Sequence, residues 1–219
     1  MTAGNSPKPE LDHIVIAANS LDEGARYVHD RLGVDIPAGG KHPLMGTHNC
    51  LMRLGASAFL EVIAIDPDAK RPDRPRWYAF DDPALKDRFK KNPQLITWVL
   101  RSQNIERDAL IAGYSADDVI PVSRGTLSWR LTVPSDGSLP WSGAFPHIIQ
   151  WDGGVCPWEQ MADKDAGLVQ LHISHPDADR MGSVLSRLIG NIPDYLRISK
   201  ADQPGLGAKL SVAGRRAAL

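Results

Sequence analysis

Three ionisable side chains stand inside apolar runs of strand length. His13 lies in Leu11-Asp12-His13-Ile14-Val15-Ile16-Ala17-Ala18, Glu61 in Ala58-Phe59-Leu60-Glu61-Val62-Ile63-Ala64-Ile65, and His147 in Phe145-Pro146-His147-Ile148-Ile149-Gln150-Trp151-Asp152. A carboxylate among aliphatic side chains is strongly disfavoured unless a cation, a metal or strong hydrogen-bond donors compensate it, or the group is protonated. Strand periodicity puts Phe59, Glu61 and Ile63 on one face, and His13 on a face with Leu11, Val15 and Ala17. If the two faces coincide, an imidazole and a carboxylate line one cavity. Registering Phe145 to Asp152 on Phe59 to Asp66 places His147 where Glu61 stands. The matching first strand, Leu95-Ile96-Thr97-Trp98-Val99-Leu100, then offers Thr97, a poor ligand, at the place of His13. Two histidines and one carboxylate suit a divalent Fe, Mn, Zn, Co or Ni ion with open positions for water and substrate. The plainer reading of His13 is a core histidine hydrogen-bonded to a neighbour, with no ion present.

Further residues fit a small-molecule site. His48, after the turn Met45-Gly46-Thr47, is placed to hydrogen-bond a ligand, act as general base or replace His147 on a metal; a loop histidine facing solvent is the alternative. Arg130, in Leu127-Ser128-Trp129-Arg130-Leu131, is a candidate for bidentate binding of a substrate carboxylate, or else an arginine on the solvent face of its strand. Trp129 and Trp151, with Trp98, are candidate apolar walls for a bound compound.

The elements that must position these residues read as repeated units. After the first strand, Ser20 and Glu23 form a capping box, Leu21, Ala25, Val28 and Leu32 recur at helical spacing, and Gly33 supplies a left-handed stop. Residues 39–49 read as a glycine-containing loop, followed by strands at 50–54 and 58–65. Residues 67–93, with five prolines at positions 67, 72, 75, 83 and 93 and the aromatic residues Trp77, Tyr78 and Phe80, read as a long connection or a lid. A second unit repeats the order: a strand at 95–100, a helix at 105–112 capped by Asn104 and closed by Gly113, and strands at 119–122, 127–133 and 146–151. A third piece has a strand at 168–174, a helix at 178–189 between Asp177 and Gly190, and strands at 195–198 and 208–212; His172 and His175 read as structural. The expected organisation is a tail (1–10), a first module (11–66), the linker or lid (67–93), a second module (94–153), a C-terminal piece (154–213) and a tail (214–219).

Composition narrows the function. The 219 residues are 42% hydrophobic and 23% charged, the profile of a globular chain, and 25 Lys and Arg against 26 Asp and Glu give a net charge of −1. Such a balance provides no broad cationic field for nucleic acid or an anionic membrane. Cys50 and Cys156 lack metal-type spacing and fit packed thiols in a reducing compartment. With no signal-like segment and no apolar stretch long enough to span a bilayer, the expectation is a cytoplasmic protein whose partner is a small molecule. No dinucleotide fingerprint, phosphate loop, nucleophile elbow, zincin helix or Cys-x-x-Cys pair occurs.

Leu11-Asp12-His13-Ile14-Val15-Ile16-Ala17, Gly46-Thr47-His48-Asn49 and Phe59-Leu60-Glu61-Val62-Ile63-Ala64 together resemble the glyoxalase-like domain proteins of the vicinal oxygen chelate superfamily. The likeness is strongest over residues 11–66 and continues through Leu127–Leu131 and Ile148–Trp151 to His175-Pro176. It implies an α+β fold of paired βαβββ modules, whose curved mixed sheets enclose a central cavity, with a C-terminal βαββ piece added here. It also implies a metal-dependent lyase, isomerase or dioxygenase acting on a small oxygenated metabolite, with His13 and Glu61 at ligand positions; His147, from the strand register, completes the expected ligand set, and His48 is the candidate base. In such proteins the ion binds vicinal oxygens of the substrate and stabilises the anion that develops. Thr97 and His147 depart from the superfamily pattern. The same resemblance allows a metal-free protein that sequesters a small molecule, and a homodimer completed by exchange between chains.

Overall fold

The run that carries His13 is the first strand of an eight-stranded mixed sheet. The computed structural model describes residues 7–154 and 156–219. Of the expected N-terminal tail, residues 1–6 lie outside that range, and Glu10 already opens β1. The first unit is β1 (Glu10–Ala17), α1 (Leu21–Leu32), β2 (Ala38–His42), β3 (Thr47–Leu54) and β4 (Ala58–Ile65). The connecting segment contains α2 (Pro83–Phe89). The second unit is β5 (Gln94–Arg101), α3 (Ile105–Ala112), β6 (Val119–Arg124), β7 (Leu127–Thr132) and β8 (His147–Trp151). The C-terminal unit is β9 (Ala166–His175), α4 (Ala178–Ile189), β10 (Leu196–Lys200), β11 (Gly205–Val212) and β12 (Arg215–Ala218).

Local chemistry accounts for these boundaries. The Ser20 hydroxyl accepts from the Glu23 amide at 3.2 Å, and Gly33 ends α1 in the left-handed conformation. Asn104 caps α3 in the same way through the Arg107 amide at 3.0 Å. At α4 the expected side-chain cap is absent: the Asp177 amide donates instead to His175 Nδ1 at 3.0 Å, while His172 bonds Ser199, so both histidines serve the scaffold. Two expectations change. Residues 38–42 form strand β2, where the glycines suggested loop. Residues 215–218 form β12, paired with β11, where a tail was expected, so the C-terminal piece has three strands after its helix.

The large sheet runs β2-β3-β4-β1-β5-β8-β7-β6, so each unit contributes four strands in mirrored order and the units meet where β1 pairs antiparallel with β5. Within each unit the first and last strands are parallel neighbours, β1 with β4 and β5 with β8, as a helical crossover requires. The edge strands β2 and β6 approach one another, curling the sheet. This is the arrangement of paired βαβββ modules around a curved mixed sheet that the resemblance implies. The C-terminal unit forms a separate sheet, β10-β9-β11-β12.

Alternation divides the apolar residues between two cores. Ile14, Ile16, Leu60, Val62, Trp98 and Ile148 face the helices, in a cluster continuous with the C-terminal unit. Val15, Ile63, Val99, Leu131 and Ile149 face the concave side, where Trp77, Tyr78 and Phe80 of the connecting segment cover them. No described helix is long and apolar enough to cross a membrane.

Candidate functional site

Residues 67–93 lie across the concave face as a cover. The Arg76 guanidinium and amide bind the two oxygens of Asp81 at 2.7 and 2.9 Å and hold the turn that presents Trp77 and Tyr78 to the cavity. Tyr78 and Ala79 both adopt positive φ, 57° and 55°, a conformation that non-glycine residues take only when surrounding structure enforces it. Burial, with Glu61 nearby, pushes the Tyr78 phenol well above its ordinary range, so its hydroxyl keeps its proton.

Beneath this cover lies a cavity of about 30 Å³ with His13, Glu61, Asn49, His42 and Arg124 in its wall and Phe59, Trp129 and Trp151 around them. His13 and Glu61 do share a face. Nε2 of His13 stands 3.6 Å from Oε2 of Glu61, while Nδ1 is bound to Asp12 Oδ1 at 2.6 Å and the ring stacks on Phe59 with centroids 4.5 Å apart. Because Nδ1 donates to a carboxylate, the reactive nitrogen is Nε2. Adjacent strand residues normally point to opposite faces. Here the β1–β5 register steps from Leu11 opposite Leu100 to His13 opposite Val99, leaving Asp12 as an unpaired bulge residue that reaches its neighbour's ring. Asp12 is fully buried; its second oxygen accepts from Trp151 Nε1 at 3.0 Å, and Arg101 lies 3.7 Å away.

Glu61, 6% exposed, is compensated from the other side. Asn49 Nδ2 donates to Glu61 Oε1 at 2.6 Å and to His42 Nε2 at 3.3 Å, and Asn49 Oδ1 accepts from Gly40 N and from Arg124 Nη1 at 2.9 and 3.0 Å. His42 Nδ1 then donates to the Thr47 hydroxyl at 3.0 Å. Burial, followed by the charge of Arg124, pushes the His42 imidazole down to about 3, so it is neutral and serves as a fixed acceptor. Burial likewise lowers the Arg124 guanidinium from its ordinary value, and Glu61 opposes that shift.

The glycines of β2 make this network possible. A Cβ on Gly39 would stand 2.2 Å from Asn49 Oδ1, and one on Gly40 would stand 2.6 Å from Arg124 Cδ. Gly39→Ala is therefore expected to push Asn49 off Glu61 and to lower stability by about 1–3 kcal/mol, the usual range for an overpacked site. Urea unfolding of the variant checks this; an unchanged midpoint would show that the close approach is not needed.

His147 is not brought to this pair. Phe59, His13, Val99 and His147 occupy adjacent positions across β4, β1, β5 and β8, so His13 and His147 are two strand spacings, roughly 10 Å, apart along the sheet. By the same register His147 is the counterpart of Phe59. Val99, in place of Thr97, corresponds to His13, and Ile149 corresponds to Glu61. His147 Nδ1 donates to the Thr132 carbonyl at 2.8 Å, and its ring meets Tyr78 edge-on at 5.0 Å. Burial pushes it down to about 4, leaving a neutral ring whose Nε2 has no hydrogen-bond partner among the described residues.

The expected metal-ligand set of His13, Glu61 and His147 is thus divided, and the symmetry-related half of the site is aliphatic. Among the described residues no group of three His, Cys, Asp or Glu side chains is placed to hold an ion. His13 Nε2 and Glu61 Oε2 remain open, but with His147 two strands away the described residues offer them no third ligand, so the donor set does not fit a divalent ion held by three protein ligands.

The remaining expected residues separate by face. Trp129 and Trp151 both line the cavity, with ring centroids 5.1 Å apart. Arg130, one residue after Trp129, points the other way and pairs with Glu106 on α3. His48 lies between Thr47 and Asn49 but points to the opposite face of β3, with Asp66, Lys41 and Asp68 as charged neighbours, and does not line the cavity. Trp98 faces the helices and donates to the Ala144 carbonyl at 3.0 Å. Cys50 and Cys156 are buried free thiols. Asp12, His42, Asn49, Arg124, Trp77 and Tyr78 are the site residues the sequence reading missed. Asn49 alone had a usable signal: counting back through the hairpin turn at Gly55 sets it diagonal to Glu61 on the same face.

Fold and site together define a paired-module α+β protein with a covered, polar-on-one-side cavity. The glyoxalase-like domain family matches residues 11–189, and the chain belongs to it. Among solved structures, a hypothetical protein from Staphylococcus aureus shares the fold, with a TM-score of 0.64, 14% identity and coverage of 94% of this chain and 92% of that one. Methylmalonyl-CoA epimerase from Mycobacterium tuberculosis is a more distant match, with a TM-score of 0.40, 19% identity and coverage of 68% and 91%. The Streptomyces coelicolor epimerase in complex with 2-nitronate-propionyl-CoA gives 0.40, 17%, 68% and 99%. No curated protein matches the chain.

Proposed function

We propose that this glyoxalase-like protein is a proton-transfer enzyme acting on a small oxygenated compound, with His13 as the base, Asp12 orienting it and Glu61 as its acid–base partner. One observation carries the proposal: an imidazole pinned at Nδ1 by a buried carboxylate presents Nε2 to a second carboxylate 3.6 Å away, inside a covered cavity. Two acid–base groups so placed take a proton from the carbon beside a carbonyl and return it to a neighbouring atom, a shift without change of oxidation state. The Tyr78 hydroxyl and the unpartnered Trp77 indole N–H are donors suited to the oxygen that gains charge. This favours an isomerase or lyase type of reaction over the metal-dependent chemistry that the resemblance implied. The alternative, a protein that binds the same compound without transforming it, is separated by the same test.

The test is proton exchange in D2O with pyruvate, 2-oxobutyrate, methylglyoxal and hydroxyacetone, followed by loss of the NMR signal next to the carbonyl. The expected result is exchange faster than the uncatalysed rate, insensitive to chelator and slowed at least about 100-fold in His13→Gln. No acceleration with any compound leaves the binding role. Exchange that persists in His13→Gln, or that requires an added divalent ion, overturns the assignment.

A further inference from the structure

The cavity around His13 and Glu61, at about 30 Å³, has room for about two or three water-sized groups and so admits only a few atoms of a ligand. It does not stand alone. Leu51, Arg124 and Pro157 belong both to its wall and to that of an outer chamber of about 260 Å³, between β2, β3, β6 and the segment before β9. The outer chamber has a distinct chemistry. Arg53, Arg124 and Lys164 line it, whereas among the described residues no Asp or Glu does, and Leu51, Leu127 and Met161 give it apolar surface. None of the three cations has a carboxylate within ion-pair distance among the described residues. Arg124 is the junction: its Nη1 is tied to Asn49, which fixes the guanidinium between the two spaces.

We infer that the ligand has two parts, a small carbonyl head that enters the inner cavity and a longer apolar arm ending in an anion, held in the outer chamber by Arg53, Arg124 and Lys164. The inference rests on the proton-transfer reading for what happens to the head; the arm is argued from the outer chamber alone. A carboxylate and a phosphate ester share the required chemistry. Three cations lining one chamber with no carboxylate in its wall, over an apolar floor, favour an anionic end group on a hydrocarbon arm and disfavour its neutral analogue. The small inner space requires the bulk of such a ligand to remain outside.

The probes are 6-oxoheptanoate, its methyl ester and 6-oxoheptyl phosphate, which share a methyl ketone head; isothermal titration measures their binding. The acid is expected to bind about tenfold more tightly than the ester at low salt, with most of the difference lost at about 0.5 M NaCl. The double variant Arg53→Gln/Lys164→Gln, which leaves the inner cavity untouched, is expected to bring acid and ester within about twofold of one another. Tighter binding of the phosphate than of the acid would identify a phosphate arm; the reverse would identify a carboxylate arm. His13→Gln is expected to keep the preference for the anion even though it abolishes exchange, so failure of the proton-transfer reading is read separately from failure of this one. Equal binding of acid and ester, survival of the preference in the double variant, or no binding of any probe up to about 10 mM would overturn the inference.

Discussion

Asp12→Asn is expected to keep the fold and to slow proton exchange by about 1,000-fold or more, the scale of loss when a histidine base is forced into the wrong tautomer. Each Asp12 oxygen is committed: Oδ1 accepts from His13 Nδ1 at 2.6 Å and Oδ2 from Trp151 Nε1 at 3.0 Å. An amide has one oxygen and one NH2, so it satisfies only one of these donors. If the oxygen stays on Trp151, the NH2 group faces His13 Nδ1. The imidazole must then carry its proton on Nε2, where it faces Glu61 and no longer accepts a proton from substrate. In the opposite orientation, NH2 meets the buried Trp151 N–H, at a cost of about 1–3 kcal/mol for the unpaired donor. Far-UV circular dichroism and thermal melting check the fold, and histidine 15N shifts report the tautomer. A rate within tenfold of the parent, with the proton shown to have moved to Nε2, would mean that His13 is not the base. Asp12→Ala is no substitute, because it leaves the buried His13 and Trp151 donors without an acceptor.

The scaffold was legible in the sequence because its signals are local. Ser20, Gly33, Asn104 and Gly113 mark helix ends through bonds within a few residues of themselves, and the apolar run from Ala58 to Ile65 coincides with β4 at both ends. Glu61 was legible for a related reason, since a carboxylate in that run demanded a partner, and His13 is one. The main donor to Glu61, Asn49, sits in a stretch whose glycines suggested loop. Those glycines mark close packing of β2 against Asn49 and Arg124, which depends on how the sheet curls and leaves no local signature.

Other differences come from register and from the faces of strands. Aligning the apolar runs by their terminal aspartates put His147 opposite Glu61, whereas the ladders align Phe59 with His147 and Glu61 with Ile149, a slip of two residues. A two-residue slip preserves the buried face, so hydrophobicity alone cannot detect it. Alternation could have separated Trp129 from Arg130, since neighbours on a regular strand cannot both face one cavity. The same rule would have sent Asp12 away from His13. Only the unpaired position in the β1–β5 ladder brings them together. The asymmetry of the site follows: the first unit supplies His13, Glu61 and Asn49, the second supplies Val99, Ile149 and Trp129 at the related positions, and Arg124 is the charged group that links the second to the first.

Acid is expected to unfold the protein well above the range in which ordinary carboxylates titrate. His42 and His147 are held neutral in the folded chain, pushed down chiefly by burial to about 3 and about 4, against an ordinary value of 6.5. Between pH 6.5 and those values the unfolded chain takes up a proton at each position that the folded chain refuses, so unfolding becomes more favourable as pH falls. The stability that these groups protect is complete above pH 6.5, is lost progressively below it, and stops falling for His147 near pH 4 and for His42 near pH 3. At about pH 4.5 each histidine accounts for about 2.5 kcal/mol, and together they remove about 5 kcal/mol, a large fraction of the stability of an ordinary domain. His48, also lowered by burial, acts in the same direction. Asp66, held below the usual carboxylate range chiefly by its bond to Lys41, adds its loss only at lower pH, so the window from 6.5 to 4.5 isolates the imidazoles. Urea unfolding at pH 7, 5.5 and 4.5 measures the slope. His147→Asn retains a donor for the Thr132 carbonyl and removes the titration, so it should roughly halve the decline, and His42→Asn should do the same through Thr47. Constant stability from pH 7 to 4.5 in the parent protein would show that both rings accept protons freely in the fold, and that the covered face is open to water.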